Sequence, residues 1–164
     1  MLDIHVNISF IIVNWNTCKL LIDCLHSIQT TVAECLYEVF VVDNGSQDGS
    51  QDEVRRQFGT AVHLVVNNEN KGFAQANNQA LRMARGKYVV LLNSDTVLQQ
   101  DTIKGLIAFL EKNSSAAMAG PRMIGSDGAV QNSFDNFPTL ATELLNKSLL
   151  RLLFPHTYSG KAAK

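Results

Sequence analysis

Four short apolar runs constrain this chain more than any other feature: Ile8–Val13, Val39–Val42, His63–Val66 and Tyr88–Leu92. They are rich in β-branched residues and do not alternate with polar ones. Strands covered on both faces read this way, as in a parallel sheet. Helical spacing fills the gaps. Leu20, Leu21, Cys24, Leu25 and Ile28 share one face of a helix predicted over Lys19–Thr30. Asp52–Phe58 is a short helix with Ser50 as its expected N-cap. Ala74–Ala84 is a third, stopped by Gly86, and Thr102–Lys112 a fourth. Strand and helix alternate, so the expected fold class is α/β, with a mainly parallel central sheet flanked by helices.

Each run ends in an amide or a carboxylate: Asn14, Asp43, Asn67 and Asn93. In an open parallel sheet the C-terminal strand ends line one edge, and ligands bind in the crevice there. One such residue is better explained as a turn former or cap. Four together, each with a polar continuation, favour a binding edge. After the first strand, Trp15 either offers a face to a flat base or packs as a partly buried aromatic. After the second, Asp43 is followed by Asn44 and two turn glycines, and its carboxylate suits a ribose hydroxyl or base amide. After the third, Asn70, Lys71 and Gly72 open a helix whose N-terminus suits a phosphate. After the fourth, Asn93-Ser94-Asp95 ends in one carboxylate suited to a hard divalent cation shared with phosphate oxygens.

Other classes lack their signatures. There is no G-x-G-x-x-G after the first strand, no P-loop and no G-x-S-x-G elbow. A receiver-like signalling domain, with Asp43 or Asp95 as phosphoacceptor, shares the α/β order but needs acidic residues where this chain has Asn14-Trp15-Asn16. The net charge of -1 argues against a nucleic-acid partner. Three cysteines without a Cys-x-x-Cys pair are neither a disulfide framework nor a zinc pattern, which points to a reduced, cytoplasmic setting. No leader or spanning segment is read, and His63, inside an apolar run, is expected to be a core residue.

Composition shifts after Met118. Gly120–Pro138 reads as loops with at most short strands, and Leu140–Phe154 returns to helical spacing, with a leucine face beside Lys147 and Arg151. That helix either packs on the sheet or a partner subunit, or touches a membrane surface peripherally. The expected division is a nucleotide-sugar-binding domain over 1–139 and an amphipathic helix and tail over 140–164.

The ordered set IIVNWN, VVDNGS, NNENKGFAQANN and LLNSD resembles the inverting family-2 glycosyltransferases of the GT-A fold, over roughly Ile8–Pro138. The Asn-x-Asp form of the metal motif resembles the rhamnosyltransferase-like branch that builds bacterial surface polysaccharides, as do Gly120-Pro121-Arg122-Met123, Asp127-Gly128-Ala129-Val130-Gln131 and Phe137-Pro138-Thr139. The resemblance implies a nucleoside-diphosphate sugar as donor and a saccharide or lipid-linked saccharide as acceptor. It assigns Val13 and Trp15, with Asn16, to the nucleobase pocket and Asp43, with Asn44, to the base or ribose. Asn70, Lys71, Gly72 and Asn77 fall near the donor. Asn93 replaces the first carboxylate of the metal motif, Ser94 is its middle residue, and Asp95 binds Mg²⁺ or Mn²⁺. The family's catalytic base lies well downstream, and no residue here matches it; Asp127 and Asp135 read as structural. The chain is therefore expected to be truncated before the acceptor half, with a catalytically incomplete binding fragment as the alternative. It is expected in the cytoplasm, also at the inner face of the membrane, and as a homo-oligomer in one reading.

Overall fold

A computed structural model describes residues 7–32, 35–125 and 127–131. The chain divides into two compact units, Met1–Ala119 and Gly120–Lys164. The break coincides with the shift in composition after Met118. The expected boundary at 139/140, the helix Leu140–Phe154 and Asp135 all lie outside the described residues.

The described residues of the first unit alternate strand and helix, with one 3-10 turn, Gly59–Ala61, before the third strand. Strands β1 (Ile8–Asn14), β2 (Tyr37–Asp43), β3 (His63–Val66) and β4 (Tyr88–Asn93) are separated by helices α1 (Cys18–Thr31), α2 (Ser50–Phe58) and α3 (Phe73–Leu81), and α4 (Thr102–Lys112) follows. The sheet order is β3-β2-β1-β4, and every pairing is parallel. The order reverses at β1, so the crevice beside β1 and β4 is a topological switch point. Register brings the polar ends level: Asn14 pairs with Asp43, and Val13 with Asn93.

Side chains of β1 alternate between two apolar layers. Ile8, Phe10 and Ile12 join Val39 and Val41 of β2 under Leu21, Leu25 and Ile28 of α1, Val54 and Phe58 of α2, and Ile103 of α4. On the opposite face Ile11, Phe40 and Val42 pack against Ala76 and Ala80 of α3. Full burial of each large aliphatic or aromatic side chain contributes about 1.5–3 kcal/mol. The two alanines let α3 lie close to the sheet. Gly86 does the same for the approach to β4: a Cβ there would sit 2.5 Å from the Ser9 backbone nitrogen.

Several expectations need correction. The strands extend past their apolar runs, so Asn14, Asp43 and Asn93 are strand residues rather than loop residues. Among the described residues, only β1 and β2 are covered on both faces. β3 and β4 are the outer strands of this sheet, and α3 lies over β1 and β2, leaving Val89 43% and Leu91 53% exposed. His63 is exposed, not core, and stacks on Phe40 with ring centroids 4.8 Å apart. Ser50 is not the cap of α2 but its first residue, because Gly49 adopts the left-handed cap conformation at φ 82°. Helix α3 ends at Leu81 rather than Ala84. In the second unit, β5 (Met123–Ile124) and β6 (Val130–Gln131) form a minimal antiparallel hairpin. Asp127 is structural there: its Oδ1 accepts the Ala129 N–H at 2.9 Å in the turn before Gly128.

Candidate functional site

The site is the C-terminal edge of the sheet, where the loops after β1, β2, β3 and β4 begin. Asp43 is its buried anchor, 1% exposed. Its Oδ2 accepts from Asn14 Nδ2 at 2.8 Å, and its Oδ1 accepts from the Ser46 N–H at 2.8 Å and from Gln51 Nε2 at 2.9 Å. Three donors make burial of the charge tolerable. They also leave the carboxylate little free capacity, so its first role is to organise the β2–α2 loop. Gly45 in that loop takes φ 80°, and a Cβ there would meet Glu69 Cα at 3.2 Å, so the β2 and β3 loops close against each other.

The β1 loop is tied to this anchor. Asn14 Nδ2 also donates to Ser46 Oγ at 3.0 Å, and the Asn16 N–H donates to the same oxygen at 2.9 Å. Asn16 sits at φ 55°, a conformation asparagine tolerates better than most residues, and its Oδ1 accepts the Gln47 N–H at 2.8 Å. Trp15, between Asn14 and Asn16, is 56% exposed, so much of its surface faces solvent, and Val13 is half-buried.

An amide network builds the β3 side. Asn44, 2% exposed, accepts from Asn67 Nδ2 at 2.9 Å and donates to Asn70 Oδ1 at 3.3 Å. Asn67 and Gln79 exchange both amide bonds, at 2.9 and 3.0 Å. Asn70 Oδ1 also accepts the Gly72 N–H at 2.9 Å. Gly72 takes φ 80° immediately before α3, and Lys71 beside it is exposed. Asn77 is buried, and its amide donates to the Phe73 carbonyl one turn back at 2.9 Å.

At the end of β4, Asn93 and Asp95 are exposed and Ser94 is half-buried. Helix α1 holds this loop. Cys24 Sγ donates to the Asn93 carbonyl at 3.7 Å, Ser27 Oγ accepts the Leu98 N–H at 3.0 Å, and Thr17 Oγ1 lies 2.8 Å from Ser94 Oγ. Burial, then the nearby Asp95 charge, pushes the Cys24 thiol up to about 12, so it keeps its proton as a donor. Among the described residues no third histidine, cysteine or carboxylate completes a closed metal cage.

The sequence therefore located the residues on this edge, and the structure brings Asp43 to the β1 loop and Asn44 to Asn70. Sequence reading missed Thr17, Ser46, Gln51 and Gln79. Ser46 stands three residues after Asp43, a spacing that signals only a turn, Gln51 stands on the following helix, and the Ser94 partner of Thr17 and the Asn67 partner of Gln79 lie on other loops.

The sequence profile of glycosyl transferase family 2 matches residues 9–161. The chain belongs to that family. Among curated relatives, it is 29% identical over 138 residues to TuaG of Bacillus subtilis (strain 168), a glycosyltransferase named provisionally for teichuronic acid biosynthesis, covering 82% of this chain and 54% of the relative. It is 31% identical over 139 residues to the glycosyltransferase AglE of Haloferax volcanii, covering 82% of this chain and 42% of the relative. It is 26% identical over 147 residues to the chondroitin synthase of Escherichia coli, covering 87% and 21% respectively. This family-2 domain thus spans about half the length of those relatives or less. Among solved structures, the mannosyltransferase PcManGT from Pyrobaculum calidifontis, in complex with GDP-Man and Mn²⁺, matches 66% of the chain and 33% of its own at TM-score 0.59 and 30% identity. S. aureus TarS, in complex with UDP-GlcNAc, matches 66% and 32% at TM-score 0.57 and 26% identity. The fold is accordingly GT-A. Among the described residues no helix is long and apolar enough to cross a membrane.

Proposed function

We propose that this chain is the donor-binding part of a family-2 glycosyltransferase that moves a sugar from a nucleoside diphosphate to a saccharide or lipid-linked saccharide acceptor, with inversion, in cell-surface polysaccharide synthesis. The observation that carries this reading is the convergence of all four strand ends on one edge: a solvent-facing aromatic, Trp15, at one loop and an exposed carboxylate, Asp95, at another, joined through Asn14 and Thr17. Two neighbouring structures, one in complex with GDP-Man and Mn²⁺ and one with UDP-GlcNAc, support the ligand class.

Each residue then has a task. Trp15 stacks on the base, Val13 lines the same pocket and Asn16 fixes the turn. Asp43 and Asn44 hold the nucleoside-side loops in place and present the ribose subsite. Lys71 supplies a cation near the diphosphate, and Gly72 and Asn77 shape the start of α3, whose N-terminal N–H groups favour an anion. The residues fit a divalent cation: Mg²⁺ and Mn²⁺ bound beside a nucleotide commonly take one or two carboxylates plus phosphate and water oxygens, and Asp95 is one exposed carboxylate with the Asn93 amide nearby. Bound there, the metal would neutralise charge growing on the departing diphosphate. Proton removal from the acceptor needs a base, and Asp127, held in its hairpin turn, reads as structural and not as that base. That turn is the observation favouring the second reading, a chain that binds the donor without transferring its sugar.

Calorimetry against UDP-, GDP- and dTDP-sugars with Mn²⁺ tests the reading. Saturable, metal-dependent binding to one of them supports it, and no binding to any of them overturns it. Turnover with a matched acceptor, measured beside a longer version of the chain, separates the two readings.

A further inference from the structure

We propose that Thr17 is a positioning residue that orients the Asn93-Ser94-Asp95 motif, by completing a directed chain of hydrogen bonds from Ser94 to the buried carboxylate of Asp43. The inference rests on the donor-binding reading above.

The direction of the chain follows from donor and acceptor chemistry. Asp43 is accept-only, so the group of Asn14 that faces it at 2.8 Å is the amide nitrogen. This turns Asn14 Oδ1 the other way, where it meets Thr17 Oγ1 at 2.6 Å. A carbonyl oxygen has no proton to give, so the Thr17 hydroxyl spends its single proton there. The contact between Thr17 and Ser94, at 2.8 Å, then has one assignment left: the Ser94 hydroxyl donates and the Thr17 oxygen accepts. The chain runs Ser94 O–H to Thr17 O–H to the Asn14 carbonyl, and from the Asn14 N–H to the Asp43 carboxylate. Each bond polarises the next toward the buried charge.

Two consequences follow. The Ser94 proton is committed inward, so the face Ser94 presents to the crevice is an acceptor. The side chain between Asn93 and Asp95 also has a fixed rotamer, so the direction in which Asp95 leaves the β4 end is set from the β1 loop. Cys24 and Ser27 hold the backbone of the same loop, at Asn93 and Leu98, through bonds to backbone atoms. Thr17 holds a side chain of the motif, through its hydrogen bond with the Ser94 hydroxyl.

The test is Mn²⁺ binding to the full chain in the presence of UDP or GDP, followed by electron paramagnetic resonance, for wild type, T17V, T17S, S94A and the T17V/S94A double variant. Circular dichroism melts run alongside. T17V keeps the volume and removes the hydroxyl. It is expected to weaken Mn²⁺–nucleotide binding roughly tenfold, the scale for losing an outer hydrogen bond to a metal-site residue. T17S keeps the hydroxyl and should bind as wild type. In the S94A background the T17V effect should vanish, because the link is already cut. A merely structural role for Thr17 would instead lower the melt and add to S94A. T17V binding within twofold of wild type, or effects that add in the double variant, would overturn the inference. Should T17V fail to fold, wild-type binding by S94A overturns it, since that variant cuts the same link. Failure of wild type itself to bind either nucleotide with Mn²⁺ removes the underlying reading, a result distinct from the other two.

Discussion

Asn14 Nδ2 donates to Asp43 Oδ2 at 2.8 Å, and the two residues are level neighbours at the ends of adjacent parallel strands. The pair is the point where strand register becomes site geometry. Both side chains are buried, and Ser46 of the β2 loop is bonded to both, donating its N–H to Asp43 and accepting from Asn14 at its hydroxyl. Replacing Asn14 with leucine keeps the bulk and removes the amide. The Asp43 Oδ2 and the Thr17 hydroxyl then lose their partners, and a buried charge left short of a donor is costly. The expected destabilisation is roughly 3 kcal/mol, read as a lower urea midpoint at unchanged slope.

Asp95 carries the opposite expectation. It is exposed, so D95A should leave stability within about 0.5 kcal/mol of wild type. The same variant should abolish the Mn²⁺ dependence of nucleotide-sugar binding in calorimetry. Retained metal dependence would move the cation to another residue.

Trp15 gives a test of the base subsite. Its ring is 56% exposed, so W15A should not lower the melt. Loss of a stacking face weakens base binding by about 1–3 kcal/mol, a tenfold or larger rise in Kd. An unchanged Kd for UDP and GDP would remove Trp15 from the pocket.

Helix α1 has no side-chain cap of its own, because Thr17 is turned toward Asn14 and Ser94. Asp48 supplies one from the β2–α2 loop: its carboxylate accepts the Cys18 N–H at 2.8 Å and the Ser50 N–H at 3.1 Å, as well as the Ser50 hydroxyl. Partial burial raises its pKa, but hydrogen bonds from the Ser50 hydroxyl and from the Cys18 and Ser50 N–H groups outweigh this, and the net shift is downward. A carboxyl whose folded pKa lies below its unfolded one stabilises the fold above the ordinary carboxylate range. That contribution fades as pH falls through this range and is gone below the folded value. D48N should therefore flatten the acid limb of stability measured by urea unfolding across pH. Because Asp48 is exposed to solvent, the difference should stay below about 1 kcal/mol.

Three glycines should respond differently to alanine. G86A drives a Cβ to 2.5 Å from the Ser9 nitrogen and 2.7 Å from the Ile8 carbonyl carbon, both backbone, and should cost about 1–3 kcal/mol. G45A forces a side chain into φ 80° with 3.2 Å contacts to Glu69, at a similar cost. G105A lies within α4 with no neighbour near its Cβ, and should stabilise by about 0.5–1 kcal/mol. Thermal melts of the three variants check the order.

What the sequence shows clearly is local. Non-alternating β-branched runs specify strands, and helical spacing between them specifies crossovers, so the α/β class and the element order follow without tertiary information. His63–Val66 and Thr102–Lys112 match their observed spans. The strand ends are less legible, because Asn and Asp favour turns on average, while at Asn14, Asp43 and Asn93 the parallel ladder recruits their backbone groups into the sheet. The cap of α2 is misread for a related reason: Gly49 takes the cap conformation, and the serine after it turns to Asp48.

By itself, the sequence determined that this chain folds as a parallel α/β sheet, that its polar strand ends share one edge, and that its motifs are those of family 2. Tertiary structure alone decided which of those polar residues support the others. Asp43 reads as a ligand contact and is held by Asn14, Ser46 and Gln51, and Thr17, which the sequence does not single out, reaches Ser94 across 77 positions. The physical reason is that hydrogen-bond partners are chosen by register and burial, and both are properties of the assembled sheet. Spacing along one strand can place a carboxylate at the edge, but it cannot say which amide will already have claimed it.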